Sequence, residues 1–217
     1  MAATAILKCA RTPHRKLMST PDATRKTLIA KVKSGDPIAW EEFYNTYKVF
    51  IRNVALGLKN SKYYHLTDED IADVIQNVML DLWKPGRFRF DPAVGVKFRT
   101  WFSRIVRNKL LDLVRKKTRG KPADCSGPAE EDYPVEQFQQ VWNAEWNRAL
   151  FDDAMNQLRL RPEVESSTFN VFEMLLQGLS AQEVATRAGI KENNVYQIKH
   201  RYLTILRAIY EGLRAEH

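Results

Sequence analysis

A chain of 217 residues with 34 Lys and Arg against 26 Asp and Glu carries a formal charge of +8. Hydrophobic residues make up 44% and the mean hydropathy is −0.44, which supplies a packed core and excludes a disordered or collagen-like chain. No run approaches the roughly 18 apolar residues of a membrane span, and the positive surplus favours a polyanionic partner. Cys9 and Cys125 lie far apart in polar stretches. They make no disulfide framework and no structural zinc site, and they read as two unpaired thiols in a reducing cytoplasm.

Residues 1–24 form the first segment, a basic flexible tail with Lys8, Arg11, Arg15 and Lys16. Its apolar run is too short and too interrupted for a signal peptide, and Met18 offers a second start. Almost everything after residue 24 has helical period. Asp36 and Pro37 supply an N-cap and a first helical residue. Trp40, Phe43, Tyr44, Tyr47, Phe50, Ile51 and Val54 then recur on one helical face. Thr67 and Asp70 form a capping box. The helix they open places Ile71, Val74, Ile75, Val78, Met79, Leu82 and Trp83 inward, with Asp73, Gln76 and Asn77 opposite. A loop over 87–95 follows.

Phe98, Trp101, Phe102, Ile105 and Val106 repeat the apolar pattern, which Leu110, Leu113 and Val114 continue. Trp101 belongs with the core by this spacing. The polar positions are basic, at Arg99, Arg104, Arg107, Lys109, Arg115, Lys116 and Lys117, with Asp112 the one acid. Asn108 sits mid-stretch, where a helix could break. Residues 118–134 combine three prolines, a glycine and an acidic turn of charge, and read as a linker between a domain over 25–117 and another over 135–217. In the second half Phe138, Val141, Trp142, Trp146 and Leu150 give one face, and Phe169, Phe172 and Leu176 another. With no sustained period-2 alternation, the fold class is all-α: two small helical domains joined by a flexible linker.

Residues 180–206 hold the most specific local pattern. Ser180 and Glu183 form a capping box, and Gly189 ends a short helix where the backbone needs a positive φ. Val195 and Ile198 line the inner side of a second short helix. This is a helix-turn-helix. Its second helix, laid in a major groove, would present Glu192, Asn193, Asn194, Tyr196 and Gln197 to base edges, with Lys199, His200 and Arg201 near phosphates or bases.

Two blocks together resemble the bacterial RNA polymerase sigma factors of the extracytoplasmic-function group. The first is Asp73-Val-Ile-Gln76-Asn77-Val78, then Phe90-Asp-Pro-Ala-Val-Gly95, then the run from Phe98 through Trp101, Asn108 and Asp112 to Arg115. It is similar to the family's region two. The second, Gly178 through Leu206, is similar to region four. The resemblance implies that Asp73, Gln76 and Asn77 bind the clamp coiled coil of the polymerase β′ subunit, with Asn77 standing where an acid is usual. It implies that Arg104, Arg107, Asn108, Lys109, Asp112, Arg115 and Lys116 recognise and open the minus-10 element around a loop near Asn108. The second helix of the 180–206 motif would read the minus-35 element, though the close of that helix departs from the commoner Arg-Ala-Arg pattern. Core RNA polymerase, through the β′ clamp and the β flap, and duplex and melted promoter DNA are then the partners. An anti-sigma factor is a further candidate partner. A fragment truncated after residue 118 would keep polymerase binding.

The resemblance implies no cofactor, no metal, no membrane and a cytoplasmic location. No P-loop, zincin or serine-hydrolase signature occurs, and Asp68, Glu69 and Asp70 are explained as a helix start, so no catalytic residue is assigned. The competing reading is a helix-turn-helix regulator whose first domain senses a ligand. The basic face of that domain suits nucleic acid better than a metabolite.

Overall fold

A computed structural model describes residues 25–59, 61, 64–84, 86–119 and 135–216. The tail over 1–24 and residues 120–134 of the expected linker lie outside the described residues, while its first two positions, 118 and 119, continue a helix. The described residues are all-α. They fall into two compact units, residues 23–146 and residues 147–216.

The first unit contains α1 (Arg25–Lys33), α2 (Pro37–Leu58), α3 (Asp68–Trp83), a 3-10 turn at Pro92–Val94 and α4 (Phe98–Arg119). It also holds the first three turns of α5 (Val135–Arg159). Helix starts follow the local chemistry. The Asp36 carboxylate accepts from the N–H groups of Ile38 and Ala39, and Pro37 stands first in α2. Thr67 and Asp70 cap α3 reciprocally. The core is a stack of rings. Phe43 and Tyr47 of α2 meet Phe98 and Phe102 of α4 at centroid distances of 4.9–6.2 Å. Phe50 meets Trp142 and Trp146 of α5 edge-on at 4.8 and 5.4 Å. These edge-on pairs suit the ring quadrupoles and add to area burial.

Three sequence expectations need correction here. Helix α4 runs unbroken through Asn108. Val106, Leu110 and Leu111 are buried on either side of it, so packing overrides the weak helix propensity of one exposed Asn. Trp83, expected inward, is 55% exposed and leans on Trp40 at 5.0 Å. Trp101 is half-buried, packed against Phe88, Phe90 and Phe98 of the loop and its own helix.

The second unit contains the rest of α5, then α6 (Ser166–Leu176), α7 (Ala181–Ala188) and α8 (Glu192–Glu216). Ser180 and Glu183 cap α7 reciprocally, and Gly189 ends it at φ 66°. The helix after this turn is 25 residues long and not short. Its apolar row continues past Ile198 through Tyr202, Leu206 and Ile209, which pack on Phe151, Leu158, Phe169 and Phe172. Val184, Ala185 and Val195 form a second cluster with Val171. Ile198 touches both clusters and so ties the α7–α8 pair to the α5–α6 pair.

Candidate nucleic-acid and polymerase interface

Helix α3 is held by lysines from its neighbours. Lys59 at the end of α2 reaches Asp68 at 2.8 Å. Lys117 of α4 reaches Asp70 at 2.5 Å, and Lys109 of α4 pairs with Asp81. Each carboxyl is shifted below its ordinary value. The Lys59 ammonium does this at Asp68, and Lys109, opposed by burial, at Asp81. At Asp70 burial is the largest influence and opposes ionisation, but the Lys117 ammonium and the Thr67 N–H and hydroxyl outweigh it. Asp73, Gln76 and Asn77 of the helix so fixed stand exposed. Leu80 and Trp83, 49% and 55% exposed, continue this outward face by helical spacing. Leu80 was not singled out from sequence, although it lies seven residues beyond Asp73 and four beyond Gln76.

On α4 the expected minus-10 residues separate into two groups. Arg104, Asn108, Asp112 and Lys116 lie four residues apart and are all exposed, so they form one row along the helix. Arg107, Lys109 and Arg115 flank it and are half-buried. Arg115 lies 3.6 Å from Asp112, and Lys109 is engaged with Asp81. The Arg107 Nε is buried without a hydrogen-bond partner. The row therefore presents Arg104 and Lys116 as its outward cations, with Asp112 partly neutralised.

On α8, Glu192, Asn193, Asn194, Tyr196, Gln197, His200 and Arg201 are exposed, and Lys199 is half-buried. Asn193, Gln197 and Arg201 are spaced by four residues on one face. Glu192 accepts a hydrogen bond from the Tyr196 hydroxyl at 3.1 Å, and this bond to a carboxylate raises the phenol above its ordinary pKa. Arg201 donates to the Glu163 carbonyl at 3.0 Å, which turns part of its donor set back toward the α5–α6 loop. Tyr202, one residue on, is buried and bonded to Thr168. The exposed face of α8 is thus mostly neutral and amide-rich.

Among the described residues no helix is long and apolar enough to cross a membrane, and no group of three or more His, Cys, Asp or Glu side chains is placed to hold a metal ion.

No curated protein matches the chain. Among solved structures, a chain in the structure of CnrH in complex with the cytosolic domain of CnrY is similar at 19% identity, covering 88% of this chain and 99% of that one, with a TM-score of 0.35. The family model described as Sigma-70 region 2 matches residues 43–120. That stretch takes in most of α2 and all of α3, the 87–97 loop and α4. The match thus falls within the first unit.

Proposed function

We propose that the chain is a sigma factor of the extracytoplasmic-function group, a dissociable subunit that brings core RNA polymerase to promoters. The observation that carries the reading is the match of residues 43–120 to Sigma-70 region 2. The exposed row Arg104, Asn108, Asp112 and Lys116 lies within that stretch and supports it. In this reading Asp73, Gln76 and Asn77 contact the β′ clamp. The α4 row, flanked by Arg107, Lys109 and Arg115, contacts the minus-10 element through its own residues, Arg104 and Lys116 on phosphates and the Asn108 amide on a base taken from the stack. The exposed residues of α8 from Glu192 to Arg201 enter the major groove of the minus-35 element. The second unit meets the β flap, an anti-sigma factor is a candidate regulator, and the chain acts in the cytoplasm as a non-enzymatic subunit.

The test is co-purification with core polymerase, comparing wild type with the Asp73→Ala/Gln76→Ala double variant. Association that weakens at least several-fold in the variant, with unchanged helical content, supports the reading. A folded wild-type chain that fails to associate removes it and leaves the ligand-sensing regulator, for which selection of duplex DNA without polymerase is the next measurement.

A further inference from the structure

Helices α3 and α4 are tied along one edge by ion pairs whose partners lie far apart in sequence. Asp81 near the end of α3 holds Lys109 of α4, and Lys84 approaches the same carboxylate at 3.4 Å. Asp70 in the first turn of α3 holds Lys117 near the end of α4 at 2.5 Å. Lys117 also donates to the His65 carbonyl at 3.2 Å, and Asp70 also accepts from the Thr67 N–H at 2.6 Å, so this bridge is anchored at both ends. Asp70 and Asp81 are eleven residues apart, three helical turns to within about 20°, and so share one line along α3.

That line borders the exposed row of α4. Lys109 follows Asn108 and Lys117 follows Lys116, so each stands about 100° around the helix from a member of the row. Their pairs with Asp81 and Asp70 show that this is the side on which α3 packs. Adjacent lysines therefore differ in what they offer: Lys116 lies in the exposed row, and Lys117 is bonded across to α3. A lysine set against a carboxylate brings no net charge to a phosphate and releases no counterion when a strand arrives. The carboxylates also repel phosphates along that edge. Between them, Arg104 and Lys116 stand twelve residues, about 18 Å, apart on the row, with Asn108 on the way.

The next step rests on the sigma reading, in which this row meets a melted strand. We infer that Asp70 and Asp81 set the lateral edge of a single-strand track on α4: they withhold Lys109 and Lys117 from phosphates and so keep the strand on the Arg104–Lys116 row, within reach of Asn108. With the two lysines free, the cationic surface would widen toward α3. A strand would then bind more tightly, but off the row and away from the amide that meets a base. The aspartates thus lower affinity for strands in general and fix where a bound strand lies.

The test is the salt dependence with which the full chain binds a mixed-sequence single-stranded DNA oligonucleotide. Asp81→Asn should steepen the slope of log affinity against log salt by about 0.7, one further phosphate contact. Adding Lys109→Ala to that variant should bring the slope back to the wild-type value. A slope that Asp81→Asn leaves unchanged overturns the inference. So does a steeper slope that survives the loss of Lys109, since that lysine would then not be the group set free. Chains that bind no oligonucleotide at any salt overturn it too, because a freed ammonium then reaches no phosphate. Asp81 is the position to vary, since Asp70 also caps α3.

Acylation of lysine amines, read by mass spectrometry on the unaltered chain, gives a measurement that no misfolded variant can spoil. Bound oligonucleotide should slow the acylation of Lys116 several-fold and leave Lys109 and Lys117 at their free-chain rates. Protection of either of these two in the wild-type chain overturns the inference. Protection of Lys109 in Asp81→Asn alone supports it. Co-purification with core polymerase scores the sigma reading separately: a chain that fails to associate but shows the expected slopes removes that reading and keeps the track.

Discussion

Trp142 shows how much one side chain contributes and what it gives up. Its ring touches Phe50, Phe102, Phe138 and Trp146. Trp142→Ala should lower stability by about 3–5 kcal/mol, the usual cost of emptying an aromatic site in a core. Trp142→Phe should cost far less, because it also removes the unpartnered N–H. Urea midpoints of the two variants check this ordering. The aspartates of α3 give a pH dependence of definite sign. Asp68, Asp70 and Asp81 have folded-state values below their unfolded ones. Their contribution is therefore fully present above the ordinary carboxylate range and is lost as pH falls through the depressed folded values. Thermal unfolding followed from pH 7 down to pH 3 should show this loss, and Asp70→Asn should flatten it. These partners were beyond the reach of the sequence. Lys117 lies 47 positions from Asp70, and nothing local marks the pairing.

At the scale of elements, what the sequence shows plainly is where helices begin. Caps are short-range chemistry, so Asp36, Thr67 and Ser180 announce their helices from four residues of context. Gly189 is legible for the same reason. Its backbone lies in the left-handed region and nothing stands within 4 Å of an added Cβ. Gly189→Ala should therefore cost about 1–2 kcal/mol of backbone strain alone, read as a lower urea midpoint of the second unit with unchanged structure below it. Helix faces were less legible where an apolar stripe is broad. Trp83 belongs to the right helix but turns outward, where its ring meets that of Trp40 at a tilt of 48°. The membership of residues 135–146 could not be read at all. Their periodicity shows an apolar face but not which groove it fills, and the Pro-rich linker before them points to the other half. The consequence concerns fragments. A chain ending after residue 118 would expose Phe50 and Phe102 to water, whereas residues 25–146 retain every ring of the stack. The longer fragment should unfold cooperatively, and the shorter should lose near-ultraviolet dichroism and bind hydrophobic dyes.

For the whole molecule, net charge is a poor guide to where nucleic acid would be held. The chain carries +8, but the lysines that clamp α3 spend their charge on Asp68, Asp70 and Asp81. Arg115 is set beside Asp112. What α4 presents outward is Arg104 and Lys116, both exposed. Phosphate contact releases counterions, so each cation that touches a single strand contributes about 0.7 to the slope of log affinity against log salt. The Arg104→Ala/Lys116→Ala double variant should therefore bind a single-stranded oligonucleotide with a slope shallower by about 1.4, at unchanged thermal stability. Lys109→Ala removes one positive charge as well, but a charge already engaged inside the protein. It should leave the slope nearly as it was and lower stability by up to about 1 kcal/mol, the range of a partly exposed ion pair. Affinity titrations at four salt concentrations, set beside unfolding curves of the same variants, separate the two cases. Equal slopes for all three proteins would mean that the α4 row does not touch the strand, and the contact would then have to be sought on α8, where Lys199 and Arg201 supply cations near the exposed amides.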